Sequence, residues 1–418
     1  MTVAASCDVV VIGAGPAGAV AAANLARRGY DVVVLERQVF PRFSIGESLL
    51  PQSMAFLGEA GMLDAVFAAG FQHKNGAAFL RRDDRFAFDF TDKFTPGWAT
   101  TFQVQRARFD EVLADEASRA GCAVHYAHEI LAIDVEGDAP VLDYAGPDGR
   151  RGRIKGRFCL DGSGFGRTLP RLLKLDRPSD FPVRKAVFTH VIDHIETPAF
   201  DRNKILITVH PTQQDIWYWL IPFSNGTCSL GAVGPLELLA GEPADSRAIL
   251  QRLVAEADML GGTLANAEYH IPVNSITGYA SNVTTLHGRH FTLLGNAGEF
   301  LDPIFSSGVT IALKSSSLAA GLLDRQLRGD AVDWEREFAV PLKRGVDTFR
   351  QFVGAWYDGR LQDIIFAIDP KPDVQRMICA ILAGYAWDET NPFVAQPERR
   401  LNAVAEICRQ QRAGSGGS

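Results

Sequence analysis

Gly13-Ala14-Gly15-Pro16-Ala17-Gly18 constrains this chain more than any other stretch. It follows the apolar run Asp8-Val9-Val10-Val11-Ile12 at once, and an Ala-rich, helix-prone segment from Ala19 to Arg28 comes next. Gly29 stands where a helix C-cap glycine belongs, and Asp31 to Leu35 is a second apolar run ending in Glu36 and Arg37. Each glycine has a task. Gly13 permits the tight turn, Gly15 lets the backbone approach a pyrophosphate, and Gly18 lets helix pack on strand. The helix N-terminus, with Pro16 and Ala17 in its first turn, offers N–H groups and a partial positive charge to that pyrophosphate. Glu36 lies 23 residues after Gly13, close to the ~20 expected for the carboxylate that receives the ribose hydroxyls. A glycine triplet alone is a weak signal. With strand, helix, second strand and acid around it, it reads as a dinucleotide site.

The rest of the composition narrows the class. At 418 residues the chain is long for one compact core and suits two domains sharing a cleft. A net charge of −7 argues against a nucleic-acid partner and against docking on anionic lipid. No apolar run approaches the ~20 residues of a membrane span. The six cysteines (Cys7, Cys122, Cys159, Cys228, Cys379, Cys408) are scattered without a CxxC pair, which fits reduced thiols in a cytoplasmic enzyme and no metal site. Isolated histidines (His73, His190, His194, His210, His270) lack metal spacing and read as structural, and Glu47 as a loop carboxylate.

Patterning predicts an α/β protein: a Rossmann-like nucleotide-binding domain with an inserted antiparallel β-sheet substrate domain and a helical C-terminal part. The expected divisions are 1–180 with a β insertion at about 71–105, then 181–272 as the sheet domain. Residues 273–330 return to the nucleotide domain, 331–413 are helical, and 414–418 are a tail or linker. Ser48 is expected to cap a helix running to about Ala69, broken near Gly61. Phe71–Gly76 is expected as a turn, with a hairpin after it. Two further Gly-rich turns follow strand-like runs, Asp161-Gly162-Ser163-Gly164 and Gly295-Asn296-Ala297-Gly298.

Three such turns resemble the FAD-dependent aromatic hydroxylase superfamily, the p-hydroxybenzoate hydroxylase-like fold. Asp161-Gly162 fits its second turn. Asn296 departs from the third, where the superfamily has Asp; the amide keeps an acceptor for a ribityl hydroxyl but loses the charge. Arg42 and Arg106 match positions where the superfamily places a flavin-contacting arginine, whereas Arg108 reads as a surface ion pair. Within the superfamily the chain is more similar to flavin-dependent halogenases, over nearly its whole length. Trp217-Tyr218-Trp219-Leu220-Ile221-Pro222 matches W-x-W-x-I-P, and Phe300-Leu-Asp-Pro303-Ile-Phe305-Ser306-Ser307-Gly308 matches F-x-x-P-x-x-S-x-G. Lys74 stands at the halogenase lysine, and Ile45-Gly46-Glu47-Ser48-Leu49 resembles the family's loop, which places Ser48 with the cofactor contacts.

The resemblance implies FAD, supplied as FADH2 by a separate reductase, with O2 and a chloride or bromide ion. A flavin C4a-hydroperoxide and halide would give hypohalous acid, which Lys74 would relay to an electron-rich aromatic. It makes Lys74 and Ser306 the catalytic candidates. Backbone N–H groups at Ser307 and Gly308 would hold halide, Gly308 also meeting the cofactor. Trp217, Trp219, Pro222, Pro303 and Phe305 would line the passage to substrate. Where tryptophan halogenases carry Glu before the loop serine, this chain has Phe305, which points to a phenol or pyrrole, free or held on an acyl carrier protein. Monomer and homodimer both stay open. The alternatives are an aromatic hydroxylase and a flavin-dependent double-bond reductase of the same fold.

Overall fold

The computed structural model describes residues 3, 5–239 and 246–415. Its base is a five-stranded parallel sheet in the order Phe291–Leu293, Phe158–Asp161, Val9–Ile12, Val32–Leu35, Ala123–His125. The two central strands are Val-Val-Val-Ile and Val-Val-Val-Leu, buried along their length. β-Branched side chains without polar alternation suit a strand covered on both faces. The helix Pro16–Ala26 leaves the glycine turn and packs against the helix Ser307–Leu327. Small side chains permit that approach, and Ser316 Oγ donates to the Ala17 carbonyl at 2.7 Å.

A seven-stranded sheet forms the second layer. Its order is Asn274–Thr277, Arg184–Ile192, Thr227–Pro235, Trp217–Pro222, Lys204–Val209, Gly76–Arg81, Asp84–Asp89. All neighbours are antiparallel except Lys204–Val209 with Gly76–Arg81, which run parallel. The hairpin near residue 80 is therefore part of this sheet. One face joins the nucleotide-binding core and carries Trp217 and Trp219. The other packs Tyr218 and Leu220 under the helix Ser246–Glu256. Period-two alternation sorts the side chains in this way.

Several local expectations are corrected. Residues 72–74 are a short strand paired with Thr101–Gln103, and Asn75 alone separates it from the strand Gly76–Arg81. Ser48 is not a helix cap; it bridges to Gln103, and the helix starts at Ser53. Gly61, at φ +68, ends that helix region as expected, and a second helix runs Leu63–Ala68. The C-terminal region holds helices at Val340–Tyr357, Arg360–Ile365, Pro372–Leu382 and Pro397–Ser415. Gly414 and Ser415, expected in the tail, close this last helix instead; residues 416–418 lie outside the described residues. Among the described residues no helix is long and apolar enough to cross a membrane.

Candidate active site

A deep cavity opens where the parallel sheet, the three Gly-rich turns and the seven-stranded sheet meet. Gly13, Gly15, Pro16 and Ala17 line one end, with Glu36 and Arg37 at the second strand's tip. Arg42, Ser48 and Arg106 line its side, and Asn296, Pro303, Ser306 and Gly308 its far end. Trp219 closes it from the large sheet.

The glycines act as their spacing suggests. Gly13 sits at φ +89, and a Cβ there would lie 2.8 Å from the Gly162 carbonyl oxygen. A Cβ on Gly18 would stand 1.8 Å from the Gly13 carbonyl oxygen. A Cβ on Gly15 would meet only Arg42 and Asp110 side chains, at 3.5 and 3.9 Å, so hydrogen there keeps a cradle open. No side chain caps this helix's first turn. Glu36 accepts the Ala14 and Gln38 N–H groups, both at 2.8 Å, which orients the carboxylate at the cavity edge.

Arg42 and Arg106 share one buried acid. Asp110 lies 2.9 Å from Arg42 Nη1 and accepts two bonds from Arg106, at 2.7 and 2.9 Å. The Arg42 contact is close but misaligned, so Nη1 is buried without a hydrogen-bond partner. A guanidinium held in place with one unused donor beside the Gly15 cradle fits a pyrophosphate. Arg108 instead pairs with Glu111 at the surface, as expected. The sequence gives a readable cue to Asp110, which stands four residues after Arg106 on one helix face.

Asp161 is placed differently. Its carboxylate is fully buried and accepts the Ser163 and Leu169 N–H groups at 2.9 and 2.7 Å. Burial pushes its pKa up. The acid shapes the turn, and Gly162 and Ser163 meet the cavity instead.

At the far end Ser306 adopts φ +56 and starts the helix Ser307–Leu327. Its first turn has neither a side-chain cap nor an acidic residue, which leaves the N-terminal field of a 21-residue helix uncompensated. Ser307 is buried, and the Gly308 Cβ position lies 3.6 Å from Asn296 Oδ1.

Lys74 is 1% exposed. Its Nζ donates to Ser48 Oγ at 2.7 Å and to the Leu49 carbonyl at 2.8 Å, with the Phe90 ring at 5.4 Å. Burial lowers its pKa to about 7. The lysine does not itself line the cavity; Ser48 does. The structure separates the remaining passage candidates. Trp217 is fully buried behind Trp219, ring centroids 5.9 Å apart, and Pro222 is buried at the strand end. Phe305 stands edge-on to Phe352 and Trp356. Like Trp217 and Pro222, it packs outside the FAD cavity's lining.

Sequence reading missed two pairings. Glu47 lines the cavity and its Oε1 lies 2.7 Å from His190 Nε2. Asp302 binds two tyrosines, Tyr279 and Tyr357. Their partners lie 143, 23 and 55 residues apart, beyond any local pattern.

Fold and cavity define a protein that binds FAD: residues 6–268 match the family described as FAD binding domain, to which the chain belongs. Flavin-dependent halogenase rdc2 of Metacordyceps chlamydosporia is 30% identical over 358 residues, 80% of this chain and 68% of its own. The 1H-pyrrole-2-carbonyl peptidyl-carrier-protein brominase of Pseudoalteromonas luteoviolacea (strain 2ta16) is 30% identical over 425 residues, 98% of this chain and 99% of its own. A solved flavoprotein/dehydrogenase from Cytophaga hutchinsonii superposes with a TM-score of 0.94 at 43% identity, over 97% of this chain and 100% of that one. The chain belongs to the flavin-dependent halogenases, which are FAD-dependent oxidoreductases.

Proposed function

We propose that this protein uses FADH2, O2 and a chloride or bromide ion to halogenate a phenol or pyrrole, and that Lys74 delivers the halogen. The observation that carries the reading is the buried Lys74 amine, hydrogen-bonded to a serine that lines the FAD cavity. Bound as reduced cofactor with O2, FAD supplies the oxidising power that turns halide into hypohalous acid. The chain does the rest. Gly13, Gly15, Pro16, Ala17 and Gly18 cradle the pyrophosphate beside Arg42. Glu36 receives ribose hydroxyls, with Arg37 at the rim. Ser48, Arg106 and Asn296 hold the remaining length of the cofactor, and Asp161 acts by shaping its turn. N–H groups at Ser307 and Gly308 attract halide, Ser306 turning the chain into that helix.

A pKa near 7 gives Lys74 both useful forms. As an ammonium it polarises hypohalous acid by hydrogen bonding. As an amine it takes the halogen and releases water; the aromatic carbon then takes the halogen, and the ring proton leaves as the amine regains a hydrogen. Trp219, with Trp217 behind it, keeps substrate away from the flavin end. Without a carboxylate at Phe305 the electrophile is less activated, which suits an electron-rich ring. The relatives named as carrier-protein pyrrole halogenases support a carrier-bound substrate. A separate flavin reductase is part of the proposal, as are a cytoplasmic location, a monomer or homodimer, and the domain divisions at 180, 272 and 330.

The name of the Cytophaga hutchinsonii flavoprotein favours a second reading, a flavin-dependent reductase or dehydrogenase. One experiment separates these. The protein is incubated with a flavin reductase, bromide and a panel of free and carrier-bound phenols and pyrroles, and masses are read. A bromine isotope pattern that requires bromide supports halogenation. A gain of one oxygen without halide means a hydroxylase, and a change of two hydrogens means the second reading.

A further inference from the structure

One buried polar cluster plays no part in the chemistry above. Asp302 is 4% exposed, immediately before Pro303. Its Oδ1 accepts the Ile304 N–H at 3.0 Å, and its Oδ2 accepts the Tyr279 and Tyr357 hydroxyls at 3.0 and 2.8 Å. The Tyr357 oxygen in turn accepts the Trp217 indole N–H at 3.0 Å. The Arg184 guanidinium lies over the Tyr357 ring, 3.5 Å from its centroid, and reaches Asp215 with both terminal nitrogens. Tyr279 meets Phe300 edge-on at 5.9 Å, and Phe300 lines the flavin cavity.

The cluster therefore joins the loop Phe300–Ser306, the tryptophan strand and the end of the helix Val340–Tyr357. A buried carboxylate is a costly way to fill space, since apolar side chains of equal volume pack as well without the desolvation. What it adds is direction. Three donors converge on one carboxylate: an N–H of its own loop and the hydroxyls of Tyr279 and Tyr357.

We propose that Asp302 is a positioning residue: through Ile304 it fixes the loop that brings Pro303 and Ser306 to the cavity, and through Tyr357 it fixes the Trp217 indole behind Trp219. The consequence for product rests on the halogenase reading; the link from Asp302 to Trp217 does not.

Burial raises the Asp302 carboxyl to about 6, against the pull of Ile304 N–H, Tyr357, Tyr279 and Arg184. Both tyrosines are pushed well above their ordinary range, so Asp302 titrates before either. Protonation puts a further hydrogen on a group that already accepts three. Loss of the charge weakens the bond from the Tyr357 hydroxyl, whose oxygen accepts the Trp217 indole N–H, so the surroundings of that indole change.

The test is tryptophan emission of the full chain, with and without FAD, titrated from about pH 4.5 to about 8, a range that spans the raised carboxyl. The expected result is a sigmoidal change centred near pH 6. Asp302→Asn, Tyr357→Phe and Trp217→Phe each remove it, and Trp98→Phe leaves it in place. Circular dichroism checks each fold; if Asp302→Asn does not fold, the two aromatic variants decide. A transition unchanged in Tyr357→Phe and Trp217→Phe overturns the proposal. With FAD, reductase and bromide, Tyr357→Phe is expected to raise oxygen consumed per brominated product several-fold; an unchanged ratio also overturns the positioning role. If no brominated product forms in the unsubstituted protein, the halogenase reading fails while the emission result still stands or falls alone.

Discussion

Lys74 Nζ lies 2.7 Å from Ser48 Oγ, and its other partner is the Leu49 carbonyl at 2.8 Å. Both partners are uncharged. An ammonium buried against a hydroxyl, a carbonyl and an aromatic ring is costly, and the cost appears as a pKa lowered from 10.5 to about 7. A fold that only needed to fill this volume would use methionine or leucine.

Removing the charge should therefore stabilise the protein. The folded pKa lies below the unfolded one, so between pH 7 and 10.5 the unfolded chain binds more protons and stability rises with pH. Lys74→Met removes this dependence. The variant is expected to melt above the unsubstituted protein at pH 6, with the gain shrinking towards pH 10. Thermal melts at several pH values check this. The shift sets an upper limit on the order of 5 kcal/mol for the gain, less what the lost hydrogen bonds contribute.

Ser48→Ala removes one acceptor of a buried charged donor, a loss of about 1.5–3 kcal/mol for that bond. Halogenation should fall about tenfold or more, because about 1.4 kcal/mol is a factor of ten in rate. Since Ser48 lines the cavity, FAD affinity is measured in parallel. A loss in FAD binding equal to the loss in rate would place the effect on the cofactor and not on the amine.

Gly15 and Gly18 should respond differently to alanine. A methyl group on Gly18 collides with the Gly13 carbonyl oxygen at 1.8 Å, so Gly18→Ala is expected to lose the fold. On Gly15 the nearest atom is 3.5 Å away, so Gly15→Ala should melt like the unsubstituted protein. It should nevertheless bind FAD about tenfold more weakly or worse, because the methyl group enters the pyrophosphate cradle. Melting curves and FAD titrations on both variants test the contrast.

Asn296 stands beside the start of the helix proposed to hold halide, its Oδ1 3.6 Å from the Gly308 Cβ position. Asn296→Asp restores the superfamily's acid and adds a negative charge there. The expected outcome is tighter FAD binding together with a higher KM for halide, through repulsion at the helix N-terminus. Steady-state halide titration gives the second value.

The nucleotide-binding end was legible because its cause is local. Three glycines, one acid and two β-branched runs must fall within about thirty residues to build it. The two tryptophans were placed on one face by period two alone, and Arg108 on the surface by its pattern. Lys74 was singled out by resemblance; its burial was not legible, because Ser48 and Phe90 reach it from other segments. Ser48 itself was misread as a cap, since a serine before a helix-prone run carries the same local signal whether or not it caps. The contacts of Phe305 with Phe352 and Trp356 were not legible, because a loop position says nothing about which neighbour a ring will prefer. Asp302, Tyr279 and Tyr357 could not be joined before the helix Val340–Tyr357 was seen to end over the tryptophan strand.

The relay through Lys74 is tested most directly by Lys74→Ala, given a flavin reductase, bromide and an accepted phenol or pyrrole. The measurement is brominated product by mass, together with flavin oxidation and peroxide release. The account predicts no brominated product while flavin oxidation and peroxide release continue. Product formed at the unsubstituted protein's yield would contradict it.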